Sequence, residues 1–475
     1  MTEGPVAGPL AASPHLHPGH TRSASAPPAG VEYEESGILL PANDKRFYNE
    51  ESQRINDRID EEIRKESQRR KEAKRKEIKV MLLGQAESGK STLQKQFQLY
   101  YASQTLDSEK PSWKPVVHFN VIKAVQTIMD ELEYEFSRPP GSSSSAPDEP
   151  DFLEPYDASD SEKEEIFHLR TKLLPLVSLQ DSLASELSGG VSISGGRTGV
   201  FVRAGWQGLL SSRNWSTERS KQPNAVANMA AKTLNTSQDD ITLLWRHPVV
   251  KGMISLRKIR LEESAPFFLD NISRISEPDY IPNTDDVLNV RLQTLGVIEH
   301  SFPINLGGTM YEWRLYDVGG ARGQRHAWVP YFDDATAIIF LAPISAFDQY
   351  LEEDPRTNRI DDSLQLFTTI CSNKLLKKAH LVLMLNKTDL LRAKLKEGIK
   401  VQKYITSYGT RTNKYEDVSS YFRAHFVQVH KRKDTSGRSL YVHFTSMLDI
   451  KATQSIIVNV GEAIIRQHIA LTGLA

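Results

Sequence analysis

The sequence predicts an α/β fold: a doubly wound, mainly parallel sheet whose strand carboxyl ends carry a ligand. Three observations predict it. Short apolar runs that read as buried strands, at 78–83 and 380–385, stand before helical patterns. The first run opens into Gly84-Gln-Ala-Glu-Ser-Gly-Lys-Ser91-Thr92, and a helical pattern begins at Leu93. A strand, a loop of the form GxxxxGK[ST] and a helix together make a phosphate-binding loop. The second run ends in Asn386-Lys387-Thr388-Asp389. That is the strand end at which open α/β sheets hold ligands. After Thr294 strands and helices keep alternating, as a parallel sheet requires.

Residues 1–43 are rich in Pro, Ala, Gly, Ser and His and read as a disordered tail. His15, His17 and His20 are solvated in that reading rather than metal ligands. From 44 to 77 the chain is highly charged and lacks Pro and Gly, which suits a long exposed helix. Ile55, Ile59 and Ile63 make a narrow apolar stripe on it. Arg64, Lys65, Arg69, Arg70, Lys71, Lys74, Arg75 and Lys76 give its second half an attraction to anionic membrane surfaces.

Residues 78–104 form the first part of the sheet domain. Gly84 and Gly89 let the backbone turn so that its N–H groups converge on phosphate oxygens. The positive end of the next helix adds attraction. Glu87, Ser88, Gly89 and Thr92 belong to this nucleotide contact; Lys90 reaches the outer phosphates and the Ser91 hydroxyl ligates Mg2+. From 105 to 285 helical patterns at 116–136 and 239–275 flank an insertion at about 137–225. Arg138-Pro-Pro-Gly followed by four serines, acidic residues through Glu165, Ser188-Gly-Gly and Ser194-Gly-Gly make the insertion read as poorly structured.

The second part of the sheet domain is 286–475. Trp313-Arg-Leu-Tyr-Asp317-Val-Gly319-Gly320 is a strand ending in DxxG. Asp317 would hold Mg2+ through water, and the Gly320 N–H would meet the γ-phosphate. Asp389 can accept two hydrogen bonds from guanine N1 and N2, a pair that adenine lacks, so it selects GTP over ATP. Asn386 and the Lys387 stem would hold the loop and cover the base. The last helix, at about 453–469, turns Ile456, Ile457, Val460 and Ile464 into the core.

Composition sets outer limits. The 475 residues suffice for two or three domains. A net charge of −1 argues neither for nor against nucleic acid, and no nucleic-acid partner is expected. The single cysteine, Cys371, excludes a disulfide framework, fits a reducing cytosol and reads as a buried core residue. No apolar run spans a membrane, and no signal peptide is visible.

The phosphate loop with Glu87-Ser88, DVLNVRLQTLG (286–296), DVGG (317–320), NKTD (386–389) and HFTSMLD (443–449) follow one another in a fixed order. In this set the chain resembles the alpha subunits of heterotrimeric G proteins, from about Lys71 onward. The insertions are similar to those of a fungal branch. The resemblance implies a Ras-like P-loop GTPase domain with an inserted all-helical domain that clasps the nucleotide. GTP and GDP are the implied ligands and Mg2+ the implied cofactor. Arg291 matches the built-in arginine finger, and Thr294 matches a second Mg2+-ligating hydroxyl. Leu288, Asn289 and Val290 lie beside them at the nucleotide. Glu87 is placed to pair with Arg291 in the absence of γ-phosphate. Glu263-Ser264 stands where the helical domain reaches the nucleotide, and the Met447 N–H faces guanine O6. The implied partners are a beta-gamma dimer on the N-terminal helix, a G protein-coupled receptor, an effector and a GTPase-activating regulator.

The departures matter as much. The water-orienting glutamine of the resemblance falls on Ala321, and Gln324 lies nearly a helical turn further on. Ala86 replaces a glycine of the phosphate loop. Both predict slow GTP hydrolysis with binding retained. A hydrolysis-deficient, GTP-loaded scaffold of the same fold is the alternative; a small-molecule kinase is disfavoured by NKTD. The start Met1-Thr2-Glu3 lacks the glycine and cysteine that carry lipid in the resembling proteins. The expected location is therefore the cytoplasm, peripheral to the plasma membrane through partners or the basic helix.

Overall fold

The computed structural model describes residues 42–138, 156–188, 201–202, 225–306 and 308–472. The expected tail, with His15, His17, His20 and the first three residues, lies outside them save for its last two positions. Residues up to Arg69 form one compact unit and those from Arg70 another. Helix α1 (Ala42–Lys76) follows the expected span. Its Ile55, Ile59 and Ile63 are exposed, at 51%, 48% and 60%.

In the second unit β1 (Glu77–Leu83) leads through the phosphate loop into α2 (Lys90–Tyr101). This helix begins at Lys90 rather than Leu93. The helical region follows: α3 (Ser103–Ser137), α4 (Asp160–Val177) and α5 (Gln180–Leu187). The short strand β2 (Phe201–Val202) precedes α6 (Ala225–Thr236), α7 (Gln238–Arg246) and α8 (Pro248–Ser255). Then come α9 (Ala265–Asp270), α10 (Ile272–Ile275) and α11 (Thr284–Asn289). The chain returns to the sheet by β3 (Gln293–Thr294), β4 (Val297–Leu306) and β5 (Thr309–Val318). A 3-10 helix (Arg322–Tyr331), β6 (Ala337–Pro343), β7 (Tyr350–Leu351), β8 (Asp354–Asn358) and α12 (Arg359–Ser372) come next. The last elements are β9 (His380–Asn386), α13 (Thr388–Lys396), α14 (Tyr415–Lys433), β10 (Leu440–Phe444) and α15 (Ile450–Thr472).

The main sheet has the order β10-β9-β6-β1-β5-β4. All neighbours are parallel except β4 and β5. Central β6 and β9 are buried at every residue, which is why they read as continuous apolar runs. On β1, Val80 and Leu82 face α2 and α15, with Leu93, Phe97, Ile457 and Val460. Met81 and Leu83 face the opposite way, toward Phe367, Phe422 and Phe426 of α12 and α14. The period of two separates the layers. Cys371 is buried in the second of them, as expected, and burial pushes its thiol up to about 12. With β5 on one side of β1 and β6 on the other, the chain order reverses around β1, and the carboxyl ends there form the ligand crevice.

The insertion at 137–225 is less unstructured than the sequence predicts. Helices α4 and α5 lie inside it, and Ile166, Leu169, Leu173, Leu176, Leu183 and Leu187 join the helical core. Of the acidic stretch, Asp160, Glu162, Glu164 and Glu165 belong to the first turns of α4. Ser159 and Glu162 form a reciprocal cap, and Asp160 and Glu162 sit at the positive helix end. The polyserine stretch and Ser194-Gly-Gly lie outside the described residues. The pattern at 239–275 is four short helices, divided where Pro248 and Pro266 start new ones. Among the described residues no helix is long and apolar enough to cross a membrane.

Candidate functional site

The phosphate loop folds around its own lysine. Lys90 is 6% exposed, and its ammonium donates to the carbonyls of Gly84 at 3.1 Å and Gln85 at 2.7 Å. Burial pushes its pKa down to about 8, with Asp317 opposing the fall. Gly89 has a φ of 99°, and a Cβ there would stand 2.3 Å from Asn386 Nδ2. The loop therefore closes directly onto NKTD. Asn386 donates to the Ser88 carbonyl at 2.8 Å and accepts from Thr445 Oγ1 at 3.0 Å. Gln96 of α2 donates to the Met447 carbonyl at 2.8 Å. Three loops far apart in sequence thus form one buried polar network. Asp389 is exposed in the first turn of α13.

Beside Lys90, three oxygen-bearing side chains converge. Asp317 Oδ2 accepts from Ser91 Oγ at 2.7 Å and from Thr294 Oγ1 at 3.0 Å. The two hydroxyls are 3.1 Å apart. Asp317 is 3% exposed, and its Oδ1 has no hydrogen-bond partner among the described residues. Buried carboxylate oxygens normally have partners. An all-oxygen cluster with one free carboxylate oxygen fits Mg2+, a hard cation. Gly320 lies flat on the phosphate loop: a Cβ there would meet the Ala86 nitrogen and the Gln85 carbonyl carbon at 2.4 Å each.

Arg291 is delivered by α11. Asn283 and Asp286 cap that helix reciprocally, and Arg274 grips buried Asp286 with two bonds of 2.7 Å. Lys95 donates to the carbonyls of Val287 and Val290 at 2.7 and 3.2 Å. Asn120 of α3 accepts from the Arg291 N–H at 2.9 Å. The Arg291 guanidinium then pairs with Glu87 and, at 2.6 Å, with Glu262. The Glu87 pairing is the one expected. Arg359 of α12 also takes Glu87, at 2.8 Å, while bonding Gln85 Oε1 and the Ala86 carbonyl. Burial alone would raise the Glu87 pKa, but Arg359 and Arg291 hold it down at about 2.

Several predicted positions behave differently from one another. Leu288 and Val290 are buried, Val290 in the helical core, and Asn289 bonds back to the Asp285 carbonyl at 3.0 Å. Glu263 pairs with Lys387, joining the helical region to NKTD, and Ser264 directly precedes α9. Sequence reasoning missed Glu262, Arg359, Asn120 and Gln85. Glu262 adjoins a residue that was singled out, but Arg359 lies 272 positions from Glu87 and carries no local signal.

Comparison with known proteins agrees with this geometry. Residues 53–464 match the family model described as G-protein alpha subunit. The chain is 31% identical to the guanine nucleotide-binding protein alpha-4 subunit of Mycosarcoma maydis, over 83% of each chain. It is 29% identical to the alpha-1 subunit of the same fungus, over 89% of this chain and 97% of that one. Members of the family are GTPases that generally use Mg2+ with the nucleotide, and they generally engage beta-gamma dimers, receptors and effectors. This chain belongs to the family of G-protein alpha subunits and is a GTP-binding, signal-transducing subunit.

Proposed function

We propose that this subunit is a slow GTP hydrolase, a switch whose GTP-bound form is long-lived. One observation carries the reading. The oxygens of Ser91, Thr294 and Asp317 meet beside the Lys90 loop, yet the residue following Gly320 is Ala321. The loop N–H groups and Lys90 hold phosphate oxygens. Ser91 and Thr294, and Asp317 through water, would hold Mg2+, which neutralises charge on those oxygens. Arg291 leaves Glu87 for the γ-phosphate and stabilises the charge that develops there. Asp389 reads the guanine edge, and Asn386 keeps the base loop fixed to Ser88. Ala321 has no hydrogen-bonding side chain, so position 321 cannot orient the attacking water.

The remaining assignments rest on surfaces. The exposed stripe of Ile55, Ile59 and Ile63 supports docking of a beta-gamma dimer on α1. The basic second half of α1 supports peripheral, salt-sensitive membrane association. Single-turnover hydrolysis of preloaded GTP tests the catalytic reading. Ala321→Gln should raise the rate by about tenfold or more, equivalent to roughly 1.4 kcal/mol of transition-state stabilisation. Adding Ala86→Gly should raise it further than the separate effects predict, because Ala86 packs on Gly320 next to the new side chain. An unchanged rate in Ala321→Gln would remove the proposed cause of slowness. Tight GTP binding with no hydrolysis would favour the scaffold alternative.

A further inference from the structure

We propose that Gln324 positions the attacking water in place of the missing glutamine at 321, and that the residual hydrolysis runs through it. The inference rests on the GTPase reading above and adds a residue to it. Gln324 belongs to the 3-10 helix after DVGG, where its N–H bonds the Ala321 carbonyl at 2.9 Å. That turn brings its side chain back over the motif. Gln324 Oε1 stands 1.7 Å, and the Thr294 carbonyl oxygen 2.6 Å, from the point where a Cβ on Gly319 would begin. The two acceptors are therefore close enough for one water to donate to both. The same Thr294 contributes its hydroxyl to the cluster with Ser91 and Asp317, so Gln324 Oε1 lies by the backbone of a residue of the proposed Mg2+ site.

Gln324 Oε1 is buried and has no hydrogen-bond partner among the described residues. Such an orphan calls for a missing donor, and water is the donor that the site requires. The two glutamines beside Glu87 are committed to Arg359. Gln85 bonds Arg359 and Ser363 with its amide, and Gln349 Oε1 accepts from Arg359 at 3.0 Å. The helix carrying Gln324 is firmly held. Arg322 and Arg325 both bind buried Asp362, and Trp328 Nε1 donates to the Gly319 carbonyl at 3.0 Å. The placement of Gln324 thus depends on its neighbours rather than on its own bonds.

In the step itself Gln324 accepts a hydrogen bond and takes no proton. The water oxygen forms a bond to the γ-phosphorus. The bond from that phosphorus to the β–γ bridging oxygen breaks, and its electron pair leaves with GDP. The water proton passes to a γ-phosphate oxygen, so GTP and water yield GDP and inorganic phosphate.

The test compares the full chain with Gln324→Ala, Gln324→Glu, Ala321→Gln and Ala321→Gln/Gln324→Ala. Single-turnover hydrolysis, affinity for a fluorescent non-hydrolysable GTP analogue, and capture of GDP with aluminium fluoride are measured. Gln324→Ala should hydrolyse at least about tenfold more slowly and lose aluminium fluoride capture, with analogue affinity within twofold of wild type. Gln324→Glu, nearly isosteric, should also lose capture, since it places a carboxylate by the phosphate. The double variant should match Ala321→Gln. Wild-type hydrolysis in Gln324→Ala, or a rate that falls only in step with analogue affinity, overturns the inference. A wild type that binds no GTP analogue would instead defeat the GTPase reading itself.

Discussion

Lys95 holds a cation where water barely reaches. It is 3% exposed, donates to the Val287 carbonyl of α11 and the Val290 carbonyl just after it, and lies 4.5 Å from the Trp113 ring centre. Burial pushes its pKa from the ordinary 10.5 down to about 7, with Asp317 opposing the fall. Above pH 7 the folded chain sheds this proton, while the unfolded chain keeps it until about 10.5. Stability therefore rises with pH across that window, because the unfolded state binds more protons. Denaturant midpoints at pH 7 and 9 should show wild type gaining on Lys95→Met; a constant gap would refute the shift. Asp389 gives a second residue-level expectation. In Asp389→Asn an amide donor replaces an acceptor needed by guanine, so affinity should shift from GTP toward xanthine nucleotides. Competition binding with the two nucleotides reads this directly, and unchanged GTP preference would remove the assignment.

At the scale of elements, α3 and α11 together aim Arg291. Asn120 Oδ1 holds the Arg291 N–H, and its amide donates to the Val116 carbonyl at 2.9 Å. Asn120→Ala strands a partly buried N–H, which costs about 1–3 kcal/mol. It should slow single-turnover hydrolysis more than it weakens GTP binding, since it frees the arginine without touching the phosphate loop; equal losses would mean a general loosening. This clamp also shows what could be read in advance. The strands β1, β5 and β9 and the three motifs at their ends were legible because each is a contiguous run with its own periodicity or spacing. Arg291 and Thr294 were legible only through resemblance. Asn120, Glu262 and Arg359 were not: Asn120 sits inside a long helix, Glu262 in a loop and Arg359 at the start of α12, and each looks like a solvated polar position until the fold brings it to the site. Helix α4 was hidden for a related reason: its capping box lies in an acidic stretch whose composition resembles that of a loop.

At the scale of the whole nucleotide-binding unit, charged side chains tie the helical region to the sheet on both sides of the crevice. Glu263 meets Lys387 of NKTD, Glu262 meets Arg291, and Arg257 meets Asp348 at 3.3 Å. Arg257 has a φ of 60°, a left-handed conformation uncommon for a long side chain. We expect GDP release to require the two parts to separate, so that each tie adds to its barrier. The Arg257–Asp348 and Glu263–Lys387 contacts are partly solvated, and such pairs contribute up to about 1 kcal/mol. Breaking either one should therefore speed release by no more than about fivefold. The two are distinct contacts with no shared partner, so their effects should multiply. Stopped-flow release of fluorescent GDP from Arg257→Ala, Glu263→Gln and the double variant measures this. Release at the wild-type rate in both single variants would place the barrier elsewhere, in the Asn386–Ser88–Thr445 network that fixes the base loop to the phosphate loop. A double variant much faster than the product would mean that either tie alone keeps the crevice shut, and that the helical region opens as one rigid body.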